Sequence, residues 1–304
     1  MHIWQPEPDE TLLARTPVTF ATGAAMRVKG MRWFRDTGRR DIQGELPGWP
    51  EGRDYTAHSS GNAAGRTFLK GGLMAGATIV WGVLSSQGGS VGGGSGPDRG
   101  SDRSDDPEDE VHDFPVMWAA PGTLARTLPW QLDPGRTDAK RYTTHAVVTD
   151  RRLLVVGLPV HKDRNLIYDE VLWETPRSTI ASVERRDFKD GVDAKVIFTD
   201  GSWCRLRAQW RIKFTWYLTG DAQLVPFDVL TPSQQQTART FAATQPPDAA
   251  PPIVSRNSCG CYRVHVVRPN AVDSFFGLSE HDTVMDAQGT ELDGQQYHPE
   301  DFTS

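Results

Sequence analysis

The chain has 304 residues, a formal net charge of −6 and 38% hydrophobic residues, which is enough for one large or two small domains with a real core. Its three cysteines exclude a disulfide framework, because one is always left over. The mild overall acidity, with no reading helix evident, excludes nucleic acid as the expected partner.

Residues 1–66 form a basic, irregular N-terminal segment. Within it, Thr11 to Phe20 predicts a strand through Leu13, Val18 and Phe20. Ala24 to Phe34 sets Arg27, Lys29 and Arg32 among Met26, Val28, Met31 and Trp33, a basic and partly amphipathic stretch expected to dock as a surface element, with membrane-surface or nucleic-acid contact as the lesser reading. Residues 67–86 are the most apolar run, with Leu69, Leu73, Ile79, Val80, Trp81 and Leu84 as membrane or docking candidates. Three readings stay open for it: a buried or self-associating helix, a membrane span, and an interfacial anchor. A span needs ~20 mostly apolar residues, whereas Lys70 interrupts this run and Gly71, Gly72, Gly76 and Gly82 dilute it. Residues 87–110 are Gly/Ser-rich and then acidic, the composition of a disordered linker.

Residues 111–245 predict a mainly β domain. Val111 to Leu132 is broken by Pro115, Pro121 and Pro129 into an extra strand and a helical turn. Strands are expected at Thr144 to Thr149, Leu153 to Leu158, Tyr168 to Glu174 (Val171 and Trp173 on one face) and Ile180 to Arg185. Val192 to Thr199, Asp200-Gly201 and Ser202 onward predict a hairpin, since Asp-Gly supplies the positive backbone angles of a tight turn. From Trp203 to Tyr217 apolar and polar residues alternate, predicting a long strand bent near Ala208-Gln209, with Arg205, Arg207, Arg211 and Lys213 on one face. Thr231-Pro232-Ser233-Gln234 then carries a capping box, and a helix is expected to about Thr244. Residues 246–304 form an acidic appendage. It has a strand at Tyr262 to Val267 and a hairpin around Gln288-Gly289, and is expected to cover one edge of the preceding domain.

Three short motifs follow one another in the central domain. Val147 to Val155 contains Val-Thr-Asp-Arg-Arg-Leu, Ser178 to Val183 contains Ile-x-x-Val, and Phe198 to Ser202 contains Phe-x-Asp-Gly-Ser. Together they resemble the hairpins of bacterial pleckstrin-homology-like and GRAM-like domains, over about a quarter of the chain. The resemblance implies a small barrel closed by a C-terminal capping helix, with binding rather than catalysis as its role. The first hairpin lacks the lysine-then-Arg-x-Arg pattern with which lipid-binding members hold inositol phosphates, so phosphoinositide binding is not expected.

Charge is segregated along the chain. Fifteen Lys/Arg face ten Asp/Glu between Lys140 and Lys213, whereas eight acids face two arginines from Asp98 to Asp113. An acidic segment folding over a basic face is one reading of this pattern, and ordinary surface charge is the other. Arg205, Arg207, Arg211 and Lys213 are the ligand-binding candidates, because neighbouring arginines can hold phosphate or carboxylate bidentately. Cys259, Cys261 and His265 are the metal candidates, since thiolate and imidazole suit zinc, and the two cysteines also read as a thiol pair. No Ser/His/Asp order, phosphate loop or tuned carboxylate pair stands out, and no cofactor is implied.

The sequence therefore points to a non-enzymatic binding or adaptor module acting on a protein partner or at a membrane surface. A metal or redox protein and a structural component of a larger assembly are the alternatives. The first thirty residues lack a basic region followed by an apolar core, so cytoplasmic residence is expected, with residues 67–86 supplying any peripheral or single-anchor membrane contact.

Overall fold

A computed structural model describes residues 3–23, 33–48, 113, 115–133, 142–159, 169–186, 188, 193–219, 223–247, 249–267 and 280–293. The expectations for residues 24–32, for the candidates Leu69, Leu73, Ile79, Val80, Trp81 and Leu84, and for the linker 87–110 lie outside them.

The described chain is mainly β with two α-helices, arranged as a nine-stranded mixed sheet and a four-stranded antiparallel sheet. The large sheet uses β1 (Leu12–Phe20), β2 (Phe34–Arg35), β3 (Met117–Trp118), β4 (Tyr142–Thr149), β5 (Arg152–Pro159), β6 (Glu170–Pro176), β7 (Ile180–Arg186), β8 (Asp193–Phe198) and β9 (Trp203–Ala208). Their order is β2-β3-β9-β1-β4-β5-β6, and β8 pairs with both β7 and β9. Helix α1 (Arg211–Thr219) follows β9. The small sheet has the order β10 (Gln223–Leu224), β11 (Ile253–Arg256), β12 (Tyr262–Val267) and β13 (Glu280–Met285), with α2 (Pro232–Ala243) between β10 and β11 in the chain.

The chain divides into two compact units. The first comprises residues 1–17, 145–183 and 208–304. Its β4–β5 part buries Val147, Leu154, Val156 and Leu158, with Trp4 and Leu12 packed on them. The second comprises residues 18–144 and 184–207, and buries Val18, Phe20, Phe34, Val116, Met117, Val196, Phe198 and Leu206. The Phe20 and Phe34 rings meet edge to face, 5.2 Å between centroids. The Asp-Gly hairpin forms as its residues require. Gly201 has φ +81°, and its N–H reaches the Phe198 carbonyl at 3.0 Å, where a side chain would be strained.

Two expectations are corrected. The alternation from Trp203 to Tyr217 is not one strand. The Gln209 N–H bonds the Pro17 carbonyl at 3.1 Å, the Trp210 N–H bonds Thr16 Oγ1 at 3.0 Å, and the backbone then turns helical at Arg211. Phe214, Tyr217 and Leu218 are the buried face, spaced three and four apart, so a helical period lay inside the same letters. Val171 and Trp173 do not share a face either. A bulge at Leu172 sets Val155 opposite Trp173 and Val156 opposite Val171, leaving Trp173 buried and Val171 50% exposed. The described C-terminal residues include the strands Ile253–Arg256, Tyr262–Val267 and Glu280–Met285. They build the small sheet, and α2 packs there: Leu230, Ala238, Val254, Val264 and Met285 form one apolar cluster with Phe227, Phe241 and Tyr262 against it. The α2 capping box is complete, with the Gln234 N–H on Thr231 Oγ1 and the Thr231 N–H on Gln234 Oε1.

Candidate functional site

The Thr-Asp-Arg-Arg turn between β4 and β5 is a bracket for the segment before β1. Thr149 Oγ1 accepts the N–H groups of Arg151 and Arg152 at 3.1 and 2.9 Å and donates to Glu10 Oε1 at 2.6 Å. Asp150 Oδ1 accepts the Thr11 N–H at 2.8 Å, and Arg151 pairs with Asp9. Arg152 grips Glu10 bidentately, through Nε and an Nη, each at 2.8 Å. It also reaches Glu174 at 2.9 Å and Glu7 at 3.2 Å, and lies over the Trp4 ring. Burial pushes the Glu10 carboxyl up, but the hydrogen bonds from Arg152, Thr149 and the Glu7 backbone outweigh it and hold it down at about 2.

A second buried cation lies on β1. Arg15 donates to both Asp169 oxygens at 2.6 and 2.8 Å, and its Nε donates to His145 Nδ1 at 3.1 Å. A guanidinium cannot accept, so His145 Nδ1 is unprotonated and the ring is the neutral tautomer with its proton on Nε2. Asp169 also takes the Trp4 N–H at 2.6 Å.

In the second unit the centre is Arg205, with a side chain 0% exposed. It bonds Asp193 at 3.2 Å and the Pro115 carbonyl at 3.0 Å, and its guanidinium lies over the Phe188 ring at 5.0 Å and the Trp203 ring at 5.4 Å. Asp113 is the one described residue of the acidic run 98–113, and it bonds Arg186 at 3.0 Å with Arg205 3.7 Å away. Lys195 lies over the Trp203 ring at 4.6 Å, and Trp203 stacks on Trp118.

The four ligand candidates are therefore not one strand face. Arg205 is interior and paired, Arg207 is a partly exposed β9 residue opposite Asp193, and Arg211 and Lys213 are partly exposed on α1. The metal candidates do not form a ligand group. Among the described residues no three His, Cys, Asp or Glu side chains gather as one, and His265 serves a different contact. Its ring is buried on β12 and bonds the Tyr217 hydroxyl at 2.9 Å. Burial first, then the positive charges of Lys213 and Arg263, press its pKa down to about 3. Arg263 in turn pairs with Asp282, and the Tyr217 carbonyl accepts from Arg177.

Sequence reasoning missed Glu10, Arg15, Asp169 and Asp193. The available signal was a charge inside an otherwise apolar strand, as at Arg15 and Arg205, which calls for a buried counter-charge. Nothing in the sequence names that counter-charge, because the pairs are 154 and 12 residues apart.

No protein-family model matches the chain, and no curated protein or solved structure matches it. Among the described residues no helix is long and apolar enough to cross a membrane.

Proposed function

We propose that the chain is a non-enzymatic binding module of pleckstrin-homology-like build that engages a protein partner. One observation carries the reading: three arginines of its β strands are held by carboxylates of the same unit. Arg15 is on Asp169, Arg152 on Glu10 and Arg205 on Asp193. A guanidinium gripped by a carboxylate is not offered to a phosphate, and Glu10, held far below its ordinary range, stays ionised near neutral pH. These groups suit a scaffold better than a phosphoinositide site or an acid–base centre. The build is supported by the order of elements. Nine strands, β1 to β9, precede α1, and the helix expected from Thr231 to about Thr244 is α2, so several strands come before the helix that the resemblance implies. Arg211 and Lys213 on α1 are the contact candidates in this reading.

The test is cross-linking of the tagged full-length chain in its host, compared with the double variant Arg211→Glu/Lys213→Glu. The expected result is one protein species that untagged chain competes away and the variant loses. Flotation of the purified chain with phosphatidylserine vesicles is the counter-measurement. Vesicle binding that the same variant abolishes, without a saturable protein partner, would replace the protein reading with a membrane-surface one.

A further inference from the structure

We propose that Cys259 and Cys261 are a thiol–disulfide exchange pair at the tip of the β11–β12 hairpin, with Cys259 attacking and Cys261 resolving. The inference does not depend on the binding role. Its geometry comes from the turn. Arg256 pairs with Tyr262, the Asn257 N–H bonds the Cys261 carbonyl at 2.9 Å, and the Gly260 N–H bonds the Asn257 carbonyl at 3.0 Å. This is a tight turn followed by a bulge residue, and Gly260 takes the bulge position with φ +93°. The two cysteines flank that glycine. The Cys261 N–H points at Cys259 Sγ, 3.4 Å away, so the first sulfur is folded over the backbone of the second cysteine.

Exposure assigns the roles. Cys259 is partly exposed, while Cys261 is 7% exposed and within the turn. Cys204 is fully buried on β9, and burial pushes its thiol far up, which makes it the inert internal control. The co-reactant class is a low-molecular-weight disulfide. Cys259 loses its proton and its thiolate attacks one sulfur of that disulfide. A mixed disulfide forms, the old S–S bond breaks and one thiolate leaves. Cys261, deprotonated in turn, attacks Cys259 Sγ, closing the Cys259–Cys261 bond and releasing the second thiolate. Two protein thiols are oxidised, one small disulfide is reduced to two thiols, and two protons pass to the departing thiolates. A disulfide closed across a single residue is strained, and strained, accessible disulfides are the exchangeable ones rather than permanent staples.

The experiment treats the reduced full chain with oxidised glutathione, quenches with acid, alkylates and maps the cysteine peptides by mass. The wild-type chain is expected to end as the internal Cys259–Cys261 disulfide. Cys261→Ser should instead accumulate glutathione on Cys259, Cys259→Ser should react at least about tenfold more slowly, and Cys204→Ser should match wild type. Cys261→Ala provides a second test of resolution, and circular dichroism checks each variant's fold. The proposal is overturned if wild type stops at the glutathione adduct as Cys261→Ser does. It is equally overturned if Cys259→Ser reacts at the wild-type rate, or if the reactivity follows Cys204.

Discussion

In the large sheet, charged side chains lie inside: Arg15 and Asp169 are 3% and 1% exposed, and Arg205 is 0% exposed. In the small sheet, α2 is held by an apolar cluster, Leu230, Ala238, Val254, Val264 and Met285. Both arrangements fill an interior, but they do different work. Apolar packing tolerates any partner of suitable volume, so it stabilises without specifying much. A buried ion pair gains little net stability, because desolvation of both charges offsets their attraction, yet it penalises every arrangement in which one charge lacks the other. Arg15 on β1 meets Asp169 just before β6, and Arg152 on β5 meets Glu10 just before β1. Charge thus ties together segments far apart in sequence, while the small sheet joins elements that are near neighbours along the chain.

The sharpest break of this comparison is Asp169→Ala. It leaves Arg15 buried with only His145 beside it, and the expected cost is about 3–5 kcal/mol in urea unfolding. The double variant Arg15→Met/Asp169→Leu should recover most of that loss, because no uncompensated charge remains. A single variant within about 0.5 kcal/mol of wild type would show that the pair does not constrain the sheet.

Acid separates the two regions next. Glu10, just before β1 of the large sheet, has a folded pKa of about 2, below its ordinary 4.5. Its contribution is complete above about pH 4.5 and is lost as pH falls toward 2. His265, on the small sheet, has a folded pKa of about 3, below its ordinary 6.5. A depressed pKa again means stability that is present above the unfolded value, so this contribution declines as pH falls below 6.5 toward 3. Thermal unfolding followed from pH 7 to 4.5 should lose up to about 1.4 kcal/mol per pH unit through His265. His265→Gln should flatten that window and leave the steeper loss below pH 4.5, where Glu10 acts. An unchanged slope in His265→Gln would place the titrating group elsewhere.

Most strands and the α2 cap were legible because their signals are local. Alternation marks Tyr262 to Val267, Asp-Gly marks the β8–β9 turn, and Thr231 with Gln234 marks the start of α2. The stretch from Arg211 to Thr219 misled because Ile212, Phe214 and Trp216 satisfy period two while Phe214, Tyr217 and Leu218 satisfy the helical period. The Gln209 N–H still bonds the Pro17 carbonyl beside β1, but the Trp210 N–H takes the Thr16 side chain instead of a backbone carbonyl, and the helix begins at the next residue. The candidate site was less legible still. Arg205 was read as outward because its neighbours Cys204 and Leu206 are apolar, but the positions on both sides of β9 are buried. A strand covered on both faces gives period-two alternation no outside to report.

Within the small sheet, the turn after β13 gives the next test. Gly289 has φ +86°, and a Cβ there would lie 2.6 Å from the Gln234 nitrogen and 2.8 Å from the Ser233 carbonyl carbon. Gln234 Nε2 donates to the Ala287 carbonyl at 3.0 Å, so this turn and the start of α2 are fitted to each other. Gly289→Ala is expected to cost roughly 1–3 kcal/mol, read as a lower urea midpoint. An unaltered midpoint would mean that the turn yields without disturbing α2.

The smallest expected effect is Thr231→Ala, and it isolates what capping adds once the apolar face of α2 is already packed. The substitution removes the Oγ1 acceptor of the Gln234 N–H while Pro232 keeps the first helical turn preset. It keeps the Thr231 N–H bond to Gln234 Oε1, so only half of the capping box is lost. A cost of about 1 kcal/mol is expected. Thr231→Ser, which retains the acceptor, should sit within a few tenths of wild type. Equal losses in both variants would assign the effect to the threonine methyl and its packing rather than to the Oγ1 acceptor.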